Sequence, residues 1–219
     1  MIRTMVRSRW FFIVLAALCL APFAIAQDTL QYTGGGVNPG FGGYLVGPYN
    51  ISINGTVVQA ICDDIGTTIP GSNTWTAVRR DVTETGLVGA RFYDGTAASV
   101  QRYFQVAYLA QQLLNETSSA VRGHIQWAIW DIMSPGDSLS GFSNSLRTTI
   151  QNYINQAATN ATAAHGLGWS VYTPVGTPNS QEFLVRTPES AALLLLSFNA
   201  LAVLGMIVFL RGRMVGPAR

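Results

Sequence analysis

The chain contains no lysine: all thirteen of its basic residues are arginine. It has only two cysteines, and just 11% of its residues carry charge. Each scarcity excludes something. Arg3, Arg7 and Arg9 precede the first apolar run, and Arg211, Arg213 and Arg219 follow the last. Between residues 27 and 187, seven arginines face ten acidic residues, a net charge of −3. No basic stripe is left to track a phosphate backbone, which argues against nucleic acid as a partner. With Cys19 inside the first apolar run, Cys62 stands alone in the remainder, so no internal disulfide staples the fold. The missing lysine has two explanations, an arginine-favouring GC-rich genome or a chemical reason that depends on Cys62.

What is abundant lies first at the two ends. An arginine-bearing stretch leads into an apolar run from Trp10 to Leu20 and then into Ala24-Ile25-Ala26. That order is the layout of a secretory signal peptide, so residues 1–26 are expected to be removed after Ala26. The run is short for an uncleaved anchor. Leu18 before Cys19 also argues against a lipoprotein, since a small residue is expected there. At the other end, residues 190–210 are uncharged and long enough for a transmembrane helix, and Arg211 and Arg213 close it as a positive-inside stop. Three parts follow: a signal peptide at 1–26, an extracytoplasmic domain at 27–186, and a tail at 187–219. Directly before the span stands Thr187-Pro188-Glu189-Ser190. Pro-Glu, an apolar helix and terminal arginines together resemble the PEP-CTERM sorting signal of Gram-negative envelope proteins, with Ser190 where that signal has a second proline. The resemblance implies an exosortase as partner, transient anchoring in the inner membrane, cleavage near Pro188 and Glu189, and delivery to the envelope or cell surface.

The central segment changes period along its length. Tyr49, Ile51 and Ile53 alternate with polar neighbours, the period-two mark of a half-buried strand, and Asn54-Gly55 fits a type I′ hairpin turn into the next run. Further strands are expected near 73–78 and 82–88. Helical spacing then takes over. Val100, Tyr103, Phe104, Ala107 and Leu114 form one apolar face, Val121, Ile125, Ala128, Ile129 and Ile132 a second, and Leu146, Ile150, Tyr153, Ile154 and Ala157 a third. Ser118 or Ser119 can cap the second helix, and Pro135-Gly136 ends it. Strand character returns at 169–172 and 182–186. The expected fold class is α+β: β-rich N- and C-terminal strands around an inserted block of three helices, plus the signal helix and the transmembrane helix.

The segments Gly47-Pro48-Tyr49 and Ala60-Ile61-Cys62-Asp63-Asp64, then Trp75, Tyr108-Leu109-Ala110 and Ile125-Gln126-Trp127-Ala128-Ile129-Trp130-Asp131 form one set. Together they resemble the thioester domains of bacterial surface adhesins and their relatives among PEP-CTERM proteins. The strongest single match is the Gln-x-Ala-Ile-Trp string; Ile125 stands where adhesins often carry threonine. The resemblance implies that Cys62 attacks the side-chain carboxamide of Gln126 and expels ammonia. The resulting thioester would bond covalently to amines on a target surface.

A thiol and a primary amide do not react unaided in water, so such a pair needs a fold that presses sulfur to carbonyl and keeps water out. Trp130, four residues after Gln126, shares its helical face and can shield the bond. His124 is a candidate proton shuttle, or simply an exposed histidine. Asp63 sits beside the cysteine, where a carboxylate disfavours the thiolate and speaks against a redox role. A lysine-free domain has no side-chain amine to consume its own thioester, the chemical alternative to codon usage.

Other readings stay open. Asp63, Asp64, His124 and Asp131 are the acidic and histidine residues near these motifs, and no spacing among them matches a metal site, so neither metal nor cofactor is expected. An autocatalytic bond is not turnover, and the chain is not expected to be an enzyme. The alternative function is a non-catalytic envelope protein that binds or organises exopolysaccharide, in keeping with the aromatic content and the sorting tail.

Overall fold

A computed structural model describes residues 26–187, apart from 71–72, 137–138 and 177–178. The signal peptide up to residue 25, the sorting residues Pro188 and Glu189 and the expected span at 190–210 lie outside the described residues. Among the described residues no helix is long and apolar enough to cross a membrane.

Six strands form a closed antiparallel barrel in the order β1-β2-β3-β6-β5-β4. They are β1 (Gln27–Val37), β2 (Val46–Ile53), β3 (Thr56–Cys62), β4 (Thr74–Asp81), β5 (Trp169–Val175) and β6 (Phe183–Arg186). Between β4 and β5 the chain inserts α1 (Ala97–Asn115), α2 (Ser119–Met133), α3 (Asn144–Asn160) and the single turn α4 (Ala163–Gly166). The α+β class and the inserted helical block are as the sequence leads one to expect. Among the described residues the inserted helices number four rather than three: α4 forms because Thr162 donates its backbone N–H to His165 Nδ1 at 3.1 Å, closing a capping box over one turn.

The β2–β3 hairpin turns at Asn54 and Gly55, with φ of 49° and 89°, and Ile53 pairs with Thr56. Both positive angles are what a twist-matched two-residue turn requires. Asn54 also ties the turn to β1, its Oδ1 accepting from Thr29 N at 2.9 Å and its Nδ2 donating to Asp28 Oδ1 at 2.6 Å.

The strand expected at 82–88 does not form. β4 follows its partner β5 only as far as Asp81 opposite Ser170, and Val82 N adds one last bond to Trp169 O. Beyond that point no strand is available to pair with. Thr83 Oγ1 accepts from Gly86 N at 3.0 Å and closes a turn, while Val82 and Leu87 bury their side chains in the core.

Ser118 caps α2, accepting from Val121 N at 3.4 Å, and the helix ends at Met133. Nine of its fifteen residues are buried, because α2 packs between α1 and α3 and meets β2. A helix buried on so many sides carries any polar side chain of its inner face into the protein interior, and at the β2 contact that side chain is Gln126.

Candidate functional site

Cys62 is the last residue of β3, paired with Phe183 of β6, and is wholly buried. Its Sγ donates to Asp64 O at 3.2 Å. Gln126 is equally buried, and both ends of its carboxamide are committed: Oε1 accepts from Gly47 N at 3.2 Å and Nε2 donates to Cys62 O at 2.6 Å.

Hairpin register explains this placement. Residues flanking a two-residue turn form a hydrogen-bonded pair, and bonded pairs recur at every second position of an antiparallel ladder. Ile53–Thr56, Ile51–Val58 and Tyr49–Ala60 follow that series, where the paired register ends. Its next member is Gly47 opposite Cys62. There the Gln126 carboxamide stands between the strands as an inserted peptide-like group, accepting from one and donating to the other. Pro48, which has no N–H to offer, falls at a non-bonded position of the same series. Glycine at 47 leaves the room: a Cβ there would lie 3.2 Å from Gln126 Oε1 and 3.4 Å from Ile61 Cδ1.

Trp130 is buried one turn after Gln126, its ring edge-on to Trp127 with centroids 5.0 Å apart, and Tyr44 packs edge-on against both indoles. The Trp130 indole N–H makes no regular hydrogen bond; it lies by the Cys62 sulfur and favours its ionised form. Burial and the neighbouring Asp63 carboxyl act in the opposite sense and prevail, so the thiol is pushed well above its ordinary range.

His124 is not brought to this centre. It stacks on Phe41 with centroids 5.3 Å apart, and it lies roughly 200° around the helix from Gln126. Burial lowers its pKa.

Behind the cysteine lies a charged network whose full membership the sequence leaves hidden. Asp64 accepts from Gly66 N at 3.0 Å, from Thr67 Oγ1 at 2.6 Å and from the Arg91 guanidinium. Arg91 also donates to Ser180 O at 2.8 Å, and its backbone N–H donates to Glu182 Oε2 at 3.0 Å. Glu182 is wholly buried and accepts further from Tyr103 Oη at 2.8 Å and Thr173 Oγ1 at 2.5 Å. Asp63 is as deeply buried, yet no donor reaches either of its oxygens. Burial first, then the charge of Glu182 and a hydrogen bond to it, raise the Asp63 pKa well above the carboxylate range. The only sequence signal for Glu182 is an acid opening the apolar run Phe183-Leu184-Val185, and nothing local pairs it with Asp63.

The structure thus gathers Cys62, Asp63, Gln126 and Trp130 and leaves His124 apart. No group of three His, Cys, Asp or Glu side chains suited to a metal ion occurs among the described residues.

No protein-family profile matches the chain, and no curated protein does. Among solved structures, the chain is similar to the N-terminal thioester domain of a surface protein from Clostridium perfringens, with a TM-score of 0.49 and 14% identity over 74% of this chain and 99% of that one. A cysteine-to-alanine mutant of that domain is similar with a TM-score of 0.48 and 15% identity, over 73% and 97% of the two chains. Likeness at this level assigns neither family nor chemistry.

Proposed function

We propose that the domain is a surface adhesion module in which Cys62 and Gln126 condense to an internal thioester that bonds covalently to amines on a target. The observation that carries this reading is the Gln126 carboxamide, buried and held between Gly47 and Cys62.

In the proposed reaction Cys62 Sγ attacks Cδ of Gln126, and negative charge develops on Oε1. The Gly47 N–H already donates to that oxygen, and a backbone donor fixed in a dry site stabilises the tetrahedral oxyanion without reorganisation. The C–N bond breaks, ammonia leaves, and the acyl group stays on sulfur. Trp130, Trp127 and Tyr44 cover the bond against water. A primary amine then attacks the same carbonyl, forming an amide and returning the thiol to Cys62. Each domain reacts once, so this is bond formation without turnover. No side chain of this lysine-free sequence offers a competing amine.

Export by the 1–26 signal, transient anchoring through 190–210 and exosortase processing at Pro188 and Glu189 complete the reading and carry the domain to the envelope. A second reading also has an observation in its favour. The carboxamide completes the hydrogen bonding of Gly47 and Cys62, a structural duty that needs no bond to sulfur, and the domain would then bind an envelope polysaccharide non-covalently.

Methylamine labelling separates the two. Under the covalent reading, fragmentation of the treated protein locates a methylamide on Gln126. An unlabelled Gln126 beside a free thiol leaves the non-covalent reading.

A further inference from the structure

The bond from Gln126 Nε2 to Cys62 O bears on the second half of the proposed chemistry, in which an amine opens the thioester. Nε2 donates to that carbonyl at 2.6 Å in the protein interior, while Oε1 takes its bond from Gly47 on the neighbouring strand. Oxygen and nitrogen thus engage opposite strands, as the C=O and N–H of a peptide group do in a sheet, so the donated hydrogen is the one anti to Oε1. The other hydrogen of Nε2, syn to Oε1, meets no acceptor among the described residues.

Condensation with Cys62 takes Nε2 away as ammonia and leaves the Cys62 carbonyl buried without that donor, an unfavourable state for a polar group removed from water. Opening of the thioester by an amine is the same condensation run backwards, with one hydrogen of ammonia replaced by the substituent of the amine. By microscopic reversibility the entering nitrogen crosses the position that Nε2 held, within hydrogen-bond reach of Cys62 O.

We infer that the backbone carbonyl of Cys62 is the docking acceptor for the attacking amine and selects a nitrogen that carries two hydrogens. This rests on the thioester reading above. One hydrogen of the amine settles on Cys62 O, where the anti hydrogen of the carboxamide had been, and leaves the nitrogen lone pair free to face Cδ. The N–C bond forms and the C–S bond breaks. The second hydrogen passes as a proton from nitrogen to sulfur and restores the thiol, which rests on Asp64 O. The substituent takes the place of the syn hydrogen, so the new amide is trans like a peptide and keeps its bonds to both Gly47 and Cys62. Nothing is oxidised, and the amine is the only reactant added.

A secondary amine has one hydrogen only. Kept on Cys62 O, that hydrogen blocks amide formation; given up, it leaves an alkyl group pressed on the carbonyl oxygen. Lysine side chains and other unsubstituted amino groups on a target satisfy the requirement, and N-alkylated ones do not.

The test uses the full chain, with intact mass as readout and methylamine, ethylamine and dimethylamine as probes. Ethylamine and dimethylamine are isomers of similar basicity that differ in whether nitrogen carries two hydrogens or one. Each opening rate is taken at equal concentration of free base and divided by the rate of the same amine with a simple alkyl thioester in water, which removes intrinsic reactivity. Ethylamine is expected to open the wild-type thioester at close to the methylamine rate. Dimethylamine is expected to be on the order of 10- to 100-fold slower than ethylamine, the loss that follows from leaving a buried acceptor unpaired. Equal normalised rates for the two isomers overturn the role of the Cys62 carbonyl while leaving the thioester standing. Exclusion of both isomers with methylamine still reactive overturns it also, because size then governs entry. A wild type of unmodified mass removes the thioester reading and this selection with it.

Discussion

Gly47 gives its backbone N–H to the side-chain oxygen of Gln126 at 3.2 Å, across 79 positions of sequence. With Gln126 Nε2 on the carbonyl of Cys62, a helix side chain takes part in a β-ladder beside a strand cysteine.

Substituting Gly47 probes that geometry directly. A methyl group at Gly47 would lie 3.2 Å from Gln126 Oε1, tighter than an ordinary contact, with Ile61 and the Tyr49 ring at 3.4 Å, so the carboxamide oxygen bound to Gly47 N has to shift. Gly47→Ala is expected to lose about 1–3 kcal/mol by urea denaturation and to carry less thioester than wild type.

The ladder role of Gln126 can be separated from its chemistry. Removing the carboxamide leaves Gly47 N–H and Cys62 C=O buried without partners, at about 1–3 kcal/mol for each unsatisfied group. In a Cys62→Ala background, where no thioester can form, Gln126→Ala is still expected to be destabilising by roughly that amount. Equal stability of the single and double variants would mean that the bridge contributes nothing to the fold.

Arg91 is the counter-charge for the buried acids. Its replacement by alanine leaves the Asp64 carboxylate in the interior without its cation, and breaking such a pair costs about 3–5 kcal/mol. Urea midpoints of wild type and Arg91→Ala measure this.

The Asp63 pKa, raised by burial in the folded protein above the ordinary carboxylate range, sets the sign of a pH effect. The folded state holds this proton where the unfolded chain has released it, so stability from Asp63 is full below the unfolded pKa. It is lost as pH rises towards the folded one. Asp63→Asn has no such loss, so relative to wild type its stability should improve from acid towards neutral pH. Denaturation at several pH values checks the slope, and a difference that does not change with pH contradicts the assignment.

Legibility in the sequence followed the range of the interactions. The Asn54-Gly55 hairpin and the three long helices declare themselves within a few residues, because turn chemistry and apolar spacing are local. Residues 82–88 carry a strand-like alternation, yet a strand needs a partner and β5 begins at Trp169, too late in the register to supply one. Closure of the barrel by β1 on β4, Gln27 opposite Val78, leaves no mark on either segment. In the site, Cys62 and Gln126 were visible through their motifs, and Trp130 through its four-residue spacing from Gln126. His124, readable as a proton shuttle or as an exposed histidine, stacks on Phe41, because two positions along a helix turn its side chain away from that of Gln126. Asp63 was noticed only as a charge that opposes thiolate formation. Its actual setting depends on Glu182, Arg91 and Tyr103, which arrive from three other segments.

The most direct measurement is the intact mass of the purified chain before and after methylamine, with Cys62→Ala alongside. The account predicts a wild type lighter by one ammonia, a gain of one methylamine on treatment, and a Cys62→Ala protein with neither change. A wild-type mass equal to that of the unmodified sequence, with Cys62 freely titratable in the unfolded protein, would contradict it.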